Sequence, residues 1–143
     1  VDGIPKGIVV VSGLPGPKVD TSKKLEEVTK VLSEDKSYAQ YLKDIDAISA
    51  VYKRFADQIN RPAWAELSLL TLSDDCKGMG LGRRAIEEAE KVAAEKGKTG
   101  LFFYTDSDCN FGFYDHIGAV RVGYEDTLWS GEPIRVFAYY LQY

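Results

Sequence analysis

The segment Lys77-Gly78-Met79-Gly80-Leu81-Gly82 constrains this chain more than any other. It follows the apolar run Trp64 to Leu72, which reads as a strand, with Ser73-Asp74-Asp75 marking the exit. It opens a stretch from Gly78 to about Lys96 in which Ile86, Ala89 and Ala93 recur on one helical face, with Gly97 placed as a C-cap. A strand that passes through a glycine turn into a helix commits the chain to helices layered on a sheet. The turn also has a chemistry. Amides in the first turn of a helix lack intrahelical partners, and the helix dipole is positive there, so anions are favoured. Glycines let a bulky anion reach the backbone. Lys77 and Arg83 can add positive charge, and Arg84 less directly.

Three readings of that segment compete. A dinucleotide fingerprint needs Gly-x-Gly-x-x-Gly. The glycines at 78, 80 and 82 fail that spacing. A P-loop needs Gly-x-x-x-x-Gly-Lys-Ser/Thr, which is absent. A glycine-rich turn without a ligand is the third, and glycine triplets alone do not dismiss it.

The rest of the chain alternates strands and helices. Gly7 to Ser12 reads as a strand whose continuous Ile8-Val9-Val10-Val11 run predicts burial on both faces. Gly13-Leu14-Pro15-Gly16-Pro17 breaks it. Helices are predicted from Ser22 to about Ser33, with Leu25, Val28, Val31 and Leu32 as the apolar stripe, and from about Tyr38 to Gln58. The second stripe is Tyr41, Leu42, Ile45, Ile48, Val51, Tyr52, Phe55 and Ile59, with the polar residues between them facing outward. These helices pack on the core or on each other, or they form a substrate-gating or dimerising insertion in which part of the second stripe serves another subunit. Gly100 to Thr105, Ala119 to Tyr124 and Ile134 to Leu141 read as strands, Asn110 to about Ile117 as a short helix, and Trp129 to Pro133 as a turn. In the strand Trp64 to Leu72, Glu66 and Ser68 alternate with Ala65, Leu67 and Leu69. The order predicts a mixed α/β sheet covered by helices, in one domain over 1–143 with a helical insertion at 21–59.

Composition removes several functions. There are 18 Lys and Arg against 22 Asp and Glu, a net charge of −4, which argues against a nucleic-acid binder. One histidine and two cysteines, Cys76 and Cys109, cannot assemble a zinc cluster at the usual spacings, so no metal is expected. Both thiols are expected reduced in a cytoplasmic protein. No apolar run is long enough to cross a membrane, and no signal-peptide pattern is visible.

The segment from Leu72 to Gly82 resembles the signature of the GCN5-related N-acetyltransferases (GNAT). Lys77, Gly80 and Gly82 stand where that family has a basic or glutamine residue, a Gly, and a Gly or Ala. A second element, Asn110-Phe111-Gly112-Phe113-Tyr114-Asp115-His116-Ile117-Gly118-Ala119, is similar to the family's helix opened by Asn and followed by Gly-Phe, with Ala119 in place of the Phe. The resemblance covers roughly Glu66 to Leu141. It implies a GNAT fold with a mixed, mostly antiparallel central sheet flanked by helices. It also implies acetyl-CoA as co-substrate, its pyrophosphate on the backbone of Lys77, Gly78, Met79, Gly80, Leu81 and Gly82, with Arg83 nearby. The pantetheine arm would lie along Leu70, Thr71 and Leu72, and Asn110 would touch the arm or cap its helix. The implied reaction is direct attack of a primary amine, on a small molecule or a protein, with no nucleic acid or membrane partner. A homodimer is compatible with it.

By the same resemblance Tyr114 is the general acid for the departing thiolate, a role its phenol suits better than that of a base at neutral pH. Glu66, a carboxylate in an apolar strand, is the candidate base acting through water, or it is a group on the wet face of its strand. Asp106 and Asp108 attract a cationic amine or simply solubilise a loop. His116 reads as a packing or surface residue. Cys76 and Cys109 lack a histidine partner, which argues against a covalent route. The family core usually begins with a strand and two helices that help to build the acceptor site, whereas only Val1 to Lys6 precede the first strand here. Either these N-terminal elements lie outside this sequence, or Thr21 to Gln58 or a partner builds the site. A CoA-binding or interaction domain without catalysis is the alternative function.

Overall fold

The computed structural model describes residues 3–17 and 20–143, so the start of the segment before the first strand, Val1 and Asp2, lies outside the described residues. Five strands form one sheet: β1 (Gly7–Ser12), β2 (Trp64–Leu72), β3 (Gly100–Asp106), β4 (Val120–Trp129) and β5 (Glu132–Gln142), in the order β1-β2-β3-β5-β4. Only β2 and β3 are parallel, and every other pair is antiparallel. The helices are α1 (Ser22–Leu32), α2 (Lys36–Phe55), α3 (Leu81–Glu95) and α4 (Gly112–His116). This is the mixed sheet covered by helices that the element order predicts, and the mostly antiparallel arrangement is the one the family resemblance implies.

Side-chain alternation divides the sheet into two cores. Ala65, Leu67, Leu101, Phe103, Phe137 and Tyr139 face α3, which contributes Ile86, Ala89 and Ala93, and α4 covers the same face with Phe113, Tyr114 and Ile117. Phe102, Val136 and Ala138 face the other way onto Val51 and Phe55 of α2 and the following Ile59. The parallel step from β2 to β3 needs a crossover, and α3 supplies it. Gly97, with φ 77°, ends α3 while Lys98 donates its amide to Ala93, a left-handed C-terminal cap.

Several expectations need correction. β1 is an edge strand on β2 alone, so only Val9 and Val11 reach the core, while Ile8 is 51% exposed. Its apolar run does not mark burial on two faces. α1 buries no residue, and Val31 is 72% exposed, so its stripe packs neither on the core nor on α2. In α2 the stripe is used unevenly: Val51 and Phe55 are buried, Tyr41 and Leu42 exposed. The polar residues of α2 do not all face outward either. Asp44 is buried, accepting from Gln40 Nε2 at 3.0 Å and from the Ser130 amide at 3.1 Å. It thereby ties α2 to the tight β4–β5 turn, where Ser130 and Gly131 take positive φ. The expected turn from Trp129 to Pro133 shrinks to Ser130 and Gly131, and both flanking strands are longer than expected.

Candidate functional site

Two parallel strands that part company make an opening. β2 and β3 pair only from Trp64 with Gly100 to Glu66 with Phe102. Beyond that point β2 continues to Leu72 on β1, and β3 continues to Asp106 on β5. From Leu67 onward the edge of β2 toward β3 has no strand partner among the described residues. Peptide groups on such an edge need another partner. A bulge helps to turn β2 away: Val10 pairs with Leu69 and Val11 with Leu67, leaving Ser68 as an extra residue. A bulge bends and twists its strand. It also reverses the alternation, so that Leu70 packs inward and Leu69 is exposed, contrary to the simple alternation of the sequence. Leu70, Thr71 and Leu72 therefore line one wall of the opening with their backbone.

The glycine segment stands at the wide end of this opening, because β2 runs toward it. Asp74–Cys76 forms a 3-10 turn, and α3 begins at Leu81, three residues later than the sequence predicts. The delay has a cause. Gly78 and Gly80 take φ 75° and 72°, a left-handed conformation that leaves the helical path and that glycine adopts without strain. The first helical amide bond runs from Arg84 to the Gly80 carbonyl. The amides of Gly78, Gly80, Leu81, Gly82 and Arg83 have no acceptor among the described residues. Among the described residues no side chain caps the helix. Five unpaired donors gathered at a helix N-terminus are an arrangement whose charge and geometry favour an anion. Lys77 lies beside it in an ion pair with Asp74 at 2.8 Å, which holds the lysine above its ordinary pKa. Met79 is exposed at the loop tip, and Arg83 and Arg84 are exposed and in no ion pair among the described residues. Lys6 of the segment before β1 pairs with Asp75 and steadies the turn.

α4 closes the same end of the opening from the other strand. Gly82 and α4 are in close approach: a Cβ at Gly82 would lie 3.1 Å from Phe113 Cζ. This glycine is needed for packing, unlike Gly78 and Gly80, whose added Cβ would meet open space. The helix spans Gly112–His116, not Asn110 to Ile117, and Phe111 occupies its N-cap position. Asn110 does not cap it with its side chain. The exposed Asn110 amide makes no hydrogen bond among the described residues. Tyr114 is half-buried, its ring tilted against Phe103 at 4.5 Å between centroids. Its hydroxyl has no hydrogen-bond partner among the described residues. Burial, with Cys109 a smaller cause, pushes that hydroxyl above its ordinary pKa, so it is a protonated donor at neutral pH.

Glu66 faces the opposite side of the sheet, toward α2. Its neighbours there were missed by the sequence reading. Tyr52 of α2 stacks on Tyr104 of β3 at 3.9 Å, and the Tyr104 hydroxyl donates to the Tyr52 carbonyl at 3.4 Å. Burial raises the pKa of Tyr52, and the nearby Asp106, Tyr104 and Glu66 raise it further. Burial raises Tyr104 as well, against the pull of Arg61, whose guanidinium lies 5.4 Å from the Phe102 ring centre. Glu66, Tyr52, Tyr104, Arg61 and Asp106 thus form a polar, aromatic wall on the α2 side of the point where β2 and β3 separate. The stripe position of Tyr52 was visible in the sequence, but not its partner across the sheet.

The remaining candidates have structural uses. Asp106 accepts from the amides of Asp108 at 2.9 Å and Cys109 at 3.2 Å, which shapes the loop after β3. Asp108 and His116 are exposed. Both cysteines are free thiols, and burial pushes each above its ordinary pKa, the reverse of an activated nucleophile. Among the described residues no helix is long and apolar enough to cross a membrane, and no cluster of side chains could hold a metal.

The acetyltransferase (GNAT) family model matches residues 32–119. No curated protein is detectably similar in sequence. Among solved structures, the chain is similar to an acetyltransferase from Bacillus cereus, with a TM-score of 0.50 and 17% identity over 57% of this chain and 56% of that one. It is also similar to a protein described as a streptothricin acetyltransferase from Bacillus anthracis, solved in complex with acetyl coenzyme A. There the TM-score is 0.52 and the identity 22%, over 59% of this chain and 51% of that one. The chain thus spans about half the length of these solved relatives.

Proposed function

The chain belongs to the acetyltransferase (GNAT) family, and from that premise we propose that it transfers the acetyl group of acetyl-CoA to a primary amine by direct attack. The observation that carries this reading is the set of five unpaired amides from Gly78 to Arg83, at the end of an opening whose β2 edge is also unpaired. A pyrophosphate needs such a donor set, and a pantetheine arm with its two amides needs such an edge. The residues present therefore fit the co-substrate. Of the segment Lys77 to Arg83, the unpaired amides of Gly78, Gly80, Leu81, Gly82 and Arg83 hold the pyrophosphate. The Lys77 and Met79 amides are bonded to the Asp74 and Cys76 carbonyls, and the Lys77 and Arg83 side chains add charge. Leu70, Thr71 and Leu72 receive the arm, and Asn110 offers its free amide from the facing loop. Acetyl-CoA supplies an acetyl group already activated as a thioester.

The chain's own residues then align and move protons. Tyr114 reaches the opening from the α4 side and donates its proton to the departing sulfur. The amine approaches from the α2 side, where Glu66 accepts its proton through water and Tyr52 and Tyr104 form the wall. In this reading α2, which lies within the 21–59 helical insertion, builds the acceptor pocket. The acceptor is an amine of a small molecule or of a protein.

A CoA-binding module without transfer is the second reading. It is favoured by the bare acceptor face beyond α2, where Ile8, Val10 and Leu69 are exposed. Calorimetric titration with acetyl-CoA tests both. Saturable binding near one ligand per chain supports the site, and its absence in folded protein refutes it. Thiol release from acetyl-CoA with an α-amino acid, a polyamine and a lysine peptide then separates enzyme from module.

A further inference from the structure

α4 carries Tyr114 but has only five residues, too few to be stable alone. Apolar contacts of Phe111, Phe113, Tyr114 and Ile117 hold it to the sheet. Such contacts are non-directional and do not fix the rotation of a short helix about its axis. A polar clamp does. Asp115, adjacent to Tyr114, accepts from Arg121 Nη2 at 2.7 Å through Oδ2 and from the Tyr139 hydroxyl at 3.0 Å through Oδ1. Arg121 Nε also donates to the Tyr139 hydroxyl at 2.9 Å, closing a three-membered network. The Tyr139 end is anchored in the core, since that residue is fully buried and packed on Phe103 and Phe137. The guanidinium further lies over the Phe137 ring at 4.8 Å and the Tyr139 ring at 5.4 Å.

A second bulge aims Arg121 at α4. Arg121 pairs with Tyr139 and Gly123 with Ala138, which leaves Val122 as the extra residue of β4. Val122 packs in the α2 core, and Gly123 also faces α2, where an added Cβ would lie 3.0 Å from Phe55. Without the bulge Arg121 and Gly123 would share a face. With it, Arg121 faces α4 while the next two residues face α2.

We propose that Arg121 is a positioning residue that clamps Asp115 and thereby sets where the Tyr114 hydroxyl stands at the mouth of the opening between β2 and β3. Its role in turnover rests on the reading of Tyr114 as proton donor. The clamp itself does not, so the two can fail separately.

The test places 3-fluorotyrosine at position 114 of the full chain and follows it by fluorine NMR. Native protein gives one narrow resonance. Arg121→Gln and Asp115→Asn shift or split it, and Arg121→Lys, which keeps the charge but not the fork, falls between. An unchanged resonance in Arg121→Gln and Asp115→Asn, in protein with native circular dichroism, overturns the clamp. With an amine that is turned over, Arg121→Gln lowers kcat by about tenfold or more. Calorimetric affinity for acetyl-CoA changes by less than about twofold, because the glycine nest is untouched. In a Tyr114→Phe background Arg121→Gln costs no further kcat, since it acts through the group already removed. A full additive loss there overturns action through Tyr114. A native chain that binds no acetyl-CoA refutes the proposed function instead, and the fluorine resonance still decides the clamp.

Discussion

Replacing Gly80 separates the conformation of the anion site from its packing. Gly80 sits at φ 72°, and an added Cβ would meet nothing within 4 Å. The whole cost of Gly80→Ala is therefore backbone strain, roughly 1–2 kcal/mol for an L-residue in the left-handed region. Where that cost appears depends on whether the loop keeps its shape without ligand. A loop that holds loses about 1–2 kcal/mol of stability and keeps its affinity. A loop that relaxes loses little stability, and binding must restore the strained shape. Affinity for acetyl-CoA then falls about five- to thirtyfold, at tenfold per 1.4 kcal/mol. Denaturant unfolding measures the first loss and calorimetry the second, and the two together should amount to about the same 1–2 kcal/mol. Asn tolerates the left-handed region, so Gly80→Asn recovers most of either loss. If Gly80→Ala changes neither quantity, or Asn is no better than Ala, the backbone argument is wrong.

Tyr114→Phe should lower kcat about a hundredfold while leaving acetyl-CoA affinity nearly unchanged, because only the hydroxyl is lost and the ring still packs on Phe103. Equal turnover on a proven acceptor would remove its role as acid. Gly100→Ala should destabilise the fold by about 1–3 kcal/mol in denaturant titration, since the new Cβ would lie 2.5 Å from the Leu141 carbonyl oxygen. The fold should also weaken in alkali. Burial is the first cause that raises the hydroxyls of Tyr52, Tyr104, Tyr114 and Tyr139. The unfolded chain then loses these protons first, so the contribution is intact below about pH 10 and is lost as pH rises through the folded values. Chemical denaturation at neutral pH and above pH 10 checks the sign, and a rise in stability would contradict it.

Much of this was legible in the sequence because local and global signals agree. The glycine turn after Trp64–Leu72 announces a strand-to-helix crossover, which the structure has. It also suggests an anion site, for which the structure supplies amides without acceptors among the described residues. Element types followed from periodicity, while boundaries slipped where glycine dihedrals decide them, as at the start of α3. Burial was less legible. The stripes of α1 and the β1 run look alike in sequence to those of α2 and β3, yet they lie largely exposed. Periodicity shows that a face is apolar and says nothing about whether another element arrives to cover it. Asp44 and the Tyr52–Tyr104 stack depend on contacts between distant segments, which no local pattern encodes.

The two bulges carry the argument one step further. Sequence alternation assumes a strict period of two, and each bulge breaks it once. The extra Ser68 moves the inward position from Leu69 to Leu70, so Glu66 and Leu70 lie on opposite faces of β2 where alternation alone would place them on one. The extra Val122 turns Arg121 toward Asp115 while Gly123 admits Phe55 on the other side. One bulge lies beside the opening and the other behind the helix that closes it. A regular β4 with Val122 paired in register would direct Arg121 and Gly123 to one face and force a choice between the α4 clamp and the close approach of α2. Deleting Val122 leaves Arg121 opposite Tyr139 and Gly123 opposite Ala138, adjacent and on opposite faces as before. It should therefore cost the packing of Val122 against α2 and leave the Tyr114 fluorine resonance in place, whereas Arg121→Gln should move that resonance. A Tyr114 resonance displaced by the deletion as far as by Arg121→Gln would show that the opposed faces of Arg121 and Gly123 are not what holds the clamp.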